Sequence, residues 1–243
     1  MPMQTMHIVS AYDEELAYLA RRIAAMGGHA ERMVEQSIAA LVNADAGLAQ
    51  KVIADDAVLD YGQREIDDKA IVVIARRQPM ATDLREIIGA IRISADLERV
   101  GDLAKNVAKR AVVVADGGQP TRLFRGIEAL ADLALAQLTQ VLDVYATRVV
   151  EKLGYMRDRD DEIDAMYTSL FRELLTYMME DPRNITPCTH LLFCAKNIER
   201  IGDHATNIAE TIHHIVTGEQ MPADRPKGDK TARMMVLPPK STS

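Results

Sequence analysis

The 243 residues carry a formal net charge of −7 and no long basic run, which argues against sequence-independent binding to nucleic acid. Only 4% of residues are aromatic in a chain that is 48% apolar and has no Trp, so the core must be built from Ala, Leu, Ile, Val and Met. That composition suits helices better than sheets.

No segment reaches the roughly 18 uninterrupted apolar residues needed to cross a bilayer. Met1 to Glu14 lacks the basic start and apolar stretch of a signal peptide, so a cytoplasmic location is expected.

Helical periodicity dominates, without a convincing alternating strand. Breaks at Asn43–Gly47, Arg77–Thr82, Asp116–Pro120, Gly154 and Glu180–Pro187 punctuate six helical stretches, about 10–44, 48–77, 82–115, 121–152, 156–180 and 187–217. Thr82-Asp83 with Glu86 reads as a capping box. Thr186-Pro187 reads as a hydroxyl cap before a first-turn proline.

Two seven-residue apolar repeats stand out. One runs through Ile93, Leu97, Val100, Ala104, Val107, Ala111 and Val114, the other through Cys194, Ile198, Ile201, Ala205, Ile208, Ile212 and Ile215. This is the seam of a helix packed at a shallow crossing angle. The second helices agree more loosely, through Leu59, Ile66, Ala70 and Val73 and through Ile163, Leu170, Leu174 and Tyr177.

The fold class expected is all-α, two tandem three-helix bundles over 1–117 and 118–218. Residues 219–243, with four prolines and an apolar Met234–Leu237 patch, read as a flexible tail. Cys188 and Cys194 match no metal or redox spacing and read as buried thiols.

One helical phrase is written twice. Residues 97–109, LERVGDLAKNVAK, align with residues 198–210, IERIGDHATNIAE, at an offset of 101. Glu98 and Asp102, and likewise Glu199 and Asp203, are four apart and share a helix face. The heptad assigns that face to the side away from the seam. Gly101 and Gly202 lie between them at a cost of about 0.8–1.0 kcal/mol each relative to Ala, and so suggest close approach by a ligand or another backbone.

Two readings stand. One is a solvated face in which Arg99, Lys105 and Arg200 make salt bridges. The other is a hard-cation site for magnesium, manganese, calcium or iron, with Asn106 and Asn207 one turn further on. One helix supplies too few ligands, and the nearest matching acids are Glu65-Ile66-Asp67 and Glu162-Ile163-Asp164.

His204 has Leu103 as its counterpart in the first repeat and adds little, and Glu210-x-x-His213 occurs once on outer positions. No nucleotide-binding or hydrolase motif is present.

The chain resembles the PhoU family of phosphate-uptake and phosphate-signalling regulators. The likeness rests on the doubled Glu-Arg-[Val/Ile]-Gly-Asp helix, Ala75-Arg-Arg-Gln-Pro79 leading to Asp83-Leu-Arg, Leu174–Arg183, and Phe193-Cys-Ala195, and it covers about residues 10–217.

The resemblance implies a cytoplasmic, all-helical accessory protein, expected as a homodimer, with no transforming chemistry. Its implied partners are the ATPase subunit (PstB) of the Pst phosphate transporter and the sensor histidine kinase PhoR, so the membrane is reached only through partners. With phosphate sufficient, such a protein restrains uptake and keeps the Pho regulon off.

The resemblance also implies metal clusters, of iron, zinc, magnesium or manganese, at the acidic motifs. In this chain these fall on Glu98, Asp102, Glu199 and Asp203, with Asp67 and Asp164 as further ligands. Asp96 stands where the second unit has Asn197, so the two sites need not be equivalent. A metal-dependent enzyme and a purely structural bundle are the competing readings.

Overall fold

A computed structural model describes residues 3–115 and 122–221, with side chains described from Ala11 onward save those of 115, 122, 123, 155 and 157. The expected break at Asp116–Pro120 and nearly all of the tail lie outside these residues.

Six α-helices are present among the described residues, and no strand: α1 Met3–Val42, α2 Ala46–Arg77, α3 Ala81–Ala115, α4 Arg122–Thr147, α5 Met156–Glu180 and α6 Ile185–Thr217. α1, α2 and α3 pack on one another, α4, α5 and α6 do the same, and α3 meets α6 across the repeat boundary. The chain is thus two three-helix bundles in tandem.

Local chemistry explains most boundaries. Asp45 caps α2, its carboxylate accepting from the Leu48 N–H at 2.9 Å. At the other end Gln78 turns left-handed and returns its N–H to the Ile74 carbonyl at 3.1 Å. Gly218, at φ 78, closes α6 in the conformation that glycine adopts without a Cβ penalty.

Three boundaries differ from the sequence expectation. α4 stops at Thr147 because Arg148 takes a positive φ of 60, and a 3₁₀ turn, Val150–Tyr155, fills the rest of the stretch. Thr82 lies inside α3 rather than capping it; its hydroxyl accepts from Arg85 at 3.2 Å, while Glu86 pairs with Arg148 at 2.9 Å. α6 starts at Ile185, so Thr186 is not its cap and Pro187 sits within the first turn. Asn184, at the cap position, instead donates its side-chain amide to the Tyr177 carbonyl at 3.1 Å.

Every residue of both heptad seams is buried, from Ile93 to Val114 and from Cys194 to Ile215. The two helices run antiparallel. Gly89 near the start of α3 meets Ile215 near the end of α6, and Arg110 near the end of α3 meets His190 and Phe193 near the start of α6. Cys188 and Cys194 are buried free thiols, and burial pushes the Cys194 thiol up to about 12.

Leu97, fully buried on the α3 seam, offers a direct test of this core. Leu97→Ala should destabilise the chain by about 2–5 kcal/mol, the range for a buried leucine truncated to a cavity. Urea denaturation followed by circular dichroism measures it.

Candidate functional site

α3 and α6 are central helices, each covered by more than one neighbour. The face assigned to the outside by the heptad is therefore not an outer face. It lies against α2 in the first repeat and α5 in the second. Glu199 is only 5% exposed, and the Glu98 side chain 14%.

Gly101 and Gly202 explain the closeness. A Cβ at Gly101 would run into the Leu59 side chain of α2, and one at Gly202 would stand 2.9 Å from Ile163 of α5. What approaches each glycine is thus an apolar side chain of the neighbouring helix, not a ligand.

This packing corrects the register of the second carboxylate contributors. Leu59 sits against Gly101 as Ile163 sits against Gly202, which puts Asp56 and Asp60 in register with Asp160 and Asp164. The first cluster gathers Asp56, Asp60, Glu98 and Asp102, all close enough for the other three to raise the Glu98 pKa. In the second, Asp164 and Asp203 both act on Glu199, and Asp160 bonds Thr206.

Asp164 therefore belongs to its site, whereas Asp67 lies two turns of α2 beyond Asp60. Its carboxyl is raised by burial and by Asp68, and its Oδ1 is buried without a hydrogen-bond partner. Glu65 is engaged elsewhere, by Arg22 at 2.6 Å and by the Tyr18 hydroxyl. Asp56-x-x-x-Asp60 and Asp160-x-x-x-Asp164 were visible as a repeated i,i+4 acidic spacing. Matching the tripeptide Glu-Ile-Asp hid it.

The two clusters differ in the polar groups set around them. In the first, the Lys105 ammonium lies 2.5 Å from Asp56 Oδ2 and 2.5 Å from Asp102 Oδ1. Arg99 adds contacts of 3.0 Å to Asp102 and 3.4 Å to Glu98. Although burial opposes it, hydrogen bonding to Asp102 and Asp56 holds Lys105 up at about 12.

In the second cluster, Thr206 takes the place of Lys105. Its hydroxyl accepts from Gln137 of α4 at 2.8 Å and donates to Asp160 at 2.9 Å. Lys196 bonds one Glu199 oxygen at 2.8 Å and leaves Oε2 buried without a hydrogen-bond partner, as is Gln137 Oε1. Burial dominates the Glu199 environment and pushes its carboxyl up, against the opposing pull of Lys196.

Among the described residues, no group of three or more His, Cys, Asp or Glu side chains is gathered closely enough to form a metal site as it stands. In the first cluster Lys105 takes one oxygen each of Asp56 and Asp102, while Asp56 Oδ1 is buried without a hydrogen-bond partner. The second fits in donor chemistry: carboxylates, an amide oxygen and the unpartnered Glu199 Oε2, all hard oxygen ligands.

His204, set aside in the sequence, bridges the repeats. Its Nδ1 lies 2.8 Å from Asp96 Oδ1, and Asn207 donates to the same oxygen at 3.4 Å. The Asp96/Asn197 difference thus serves the α3–α6 seam and not a carboxylate cluster. A cavity of about 830 Å³ opens beside it, lined in part by Arg92, Arg99, Glu98, Glu210 and His214.

The family model of the PhoU domain matches twice, over residues 23–111 and 127–212. This chain belongs to the PhoU family.

A Rhizobium meliloti protein described as a phosphate-specific transport system accessory protein PhoU homolog is 68% identical over 232 residues, 96% of this chain and 98% of that protein. A Caulobacter vibrioides protein of the same description is 51% identical, over 93% and 98%.

The crystal structure of PhoU from Pseudomonas aeruginosa is similar at a TM-score of 0.83 and 36% identity, covering 86% of this chain and all of that one. That of the phosphate transport system regulatory protein PhoU from Streptococcus pneumoniae gives 0.79 and 25%, covering 87% and 99%. The family is one of accessory and regulatory proteins of phosphate transport, not of enzymes. No helix among the described residues is long and apolar enough to span a membrane.

Glu199 gives a pH signature. Its folded-state pKa is raised, so the stability tied to its protonated form is fully present below the ordinary glutamate value and is lost as pH rises through the folded value. Glu199→Gln keeps the side chain neutral. Its thermal midpoint should therefore gain on that of the wild type as pH rises from about 4, the ordinary glutamate range, to neutrality. Parallel melts across that range check the sign.

Proposed function

We propose that the chain is a regulatory adaptor of phosphate homeostasis that works by binding rather than turnover. With phosphate sufficient it restrains the Pst transporter through the ATPase subunit and holds the Pho regulon off through the sensor kinase. It acts in the cytoplasm as a homodimer. The observation that carries this reading is the family match across both repeats, supported by relatives described as accessory proteins of the phosphate-specific transport system.

The second carboxylate cluster is the proposed cation site, for a divalent or ferric ion. Glu199, Asp203 and Asp164 would hold it, and its positive charge would balance carboxylates that α5 and α6 keep close together. The ion stiffens that helix pair and does no chemistry on a substrate.

Deleting the gene should derepress phosphate-starvation genes in rich phosphate, read with a reporter. Arg200, exposed on α6, tests the docking face. Arg200→Glu should weaken co-purification with the transporter ATPase or the kinase while helix content is kept, since a surface change alters stability by less than about 0.5 kcal/mol. A wild type that binds neither partner defeats the adaptor reading.

A further inference from the structure

We infer that the cleft between the C-terminal part of α3 and the N-terminal part of α6 binds a small organic phosphate. Lys109 and Arg110 hold its oxyanion, and Phe193 and Val113 receive its apolar part. This site goes beyond the adaptor reading and does not depend on it.

The cleft, about 470 Å³, is the repeat image of the 830 Å³ cavity further along the α3–α6 seam. Each of its six lining residues stands 101 positions from a residue lining that cavity. The groove is thus present twice, but its charge is reversed between the copies. Glu210 is matched by Lys109, Asp96 by Asn197 and Thr211 by Arg110, so the smaller cleft has two cations and no carboxylate on its walls.

Neither cation is neutralised. Lys109 is exposed and makes no ion pair or hydrogen bond among the described residues. Arg110 is held by neutral groups: it lies over the Phe193 ring at 4.6 Å and donates to His190 Nδ1 at 3.2 Å. Burial and the Arg110 charge both lower the His190 pKa, which keeps that ring a neutral acceptor. The guanidinium is therefore positioned in advance with its charge free to meet an anion.

The donor set narrows the anion. Asn106 is exposed on α3, and Asn197 of α6 uses one amide N–H on the Phe193 carbonyl at 2.6 Å and keeps the other. An ammonium, a planar fork and amide donors from two helices suit the three terminal oxygens of a phosphate monoester better than the two of a carboxylate. Phe193 and Val113, 50% and 53% exposed, line the same cleft and favour a ligand with an apolar group over a bare ion. The volume falls within the range of small-ligand sites, about 300–1,000 Å³, and so favours a small molecule over a protein segment.

The test is isothermal titration calorimetry on the full chain at low salt, with phenyl phosphate and inorganic phosphate as probes. Phenyl phosphate should saturate one site per chain and bind about tenfold or more tighter than inorganic phosphate, since a phenyl group buried on Phe193 and Val113 adds to the charge contacts. Lys109→Glu and Arg110→Gln should each weaken phenyl phosphate binding by about tenfold or more, because each removes a charge-assisted contact. Phe193→Ala should bring the affinity for phenyl phosphate down to that for inorganic phosphate. Arg92→Gln, in the repeat-image cavity, should change neither. Lys109 is exposed and leaves the packing alone, so its variant carries the test if Arg110→Gln does not fold by circular dichroism.

Absence of saturable phenyl phosphate binding overturns the assignment. So does binding that Lys109→Glu leaves unchanged, that Arg92→Gln abolishes, or that is no tighter than for inorganic phosphate. A short peptide of glutamate and phenylalanine that binds more tightly than phenyl phosphate overturns it in favour of an acidic protein partner. Co-purification reads the adaptor function separately, so either reading can fail without the other.

Discussion

The structure depends on one constraint: two long helices, α3 and α6, lie antiparallel at the centre and are covered on several sides at once. A surface helix needs one apolar stripe, but a central helix must offer a compatible surface to each neighbour. The heptad seam serves one of these contacts. The Glu-x-x-Gly-Asp face serves another, against α2 or α5, with glycine removing the side chain that would hold the helices apart.

That arrangement puts carboxylates where solvent cannot screen them. Burial and neighbouring acids both disfavour the ionised forms of Glu98 and Glu199, and each cluster needs positive charge or hydrogen bonds to compensate. The first repeat meets this need with Lys105 and Arg99. The second has Lys196 on one Glu199 oxygen and a Gln137–Thr206–Asp160 chain, and each cluster leaves an acceptor over, Asp56 Oδ1 in the first and Glu199 Oε2 in the second. A duplicated fold thus brings its compensating lysine from different places, Lys105 of α3 in the first repeat and Lys196 of α6 in the second.

The repeats are further tied by polar contacts with no internal counterpart. Asp96 joins His204 and Asn207 near the middle of the two helices, while Arg110 stacks on Phe193 at 4.6 Å and meets His190 near the C-terminal end of α3. These contacts hold α3 of one repeat against α6 of the other at more than one point along their length.

Much of this was legible in the chain itself. The six helices, their order and the doubled unit follow from heptads, breaks and a repeat, because apolar periodicity reports directly on which side of a helix is covered. The pairing of Glu98 with Asp102 and of Glu199 with Asp203 on one helix face was legible too, because the repeat holds polar residues in register. Three things were decided only by tertiary packing. The side called outer is buried, since heptad positions say nothing of a second and third neighbour. The partners are Asp56 and Asp60, in register with Asp160 and Asp164, because the fit of Leu59 on Gly101 and Ile163 on Gly202 sets how far α2 and α5 slide along their neighbours. And Lys105, which the sequence offers as a surface salt bridge, becomes a cation between two helices because α2 brings Asp56 to it from 49 residues away. Spacing within a helix is written in the chain. The alignment of one helix against another is settled by side chains meeting across a gap that no local pattern records.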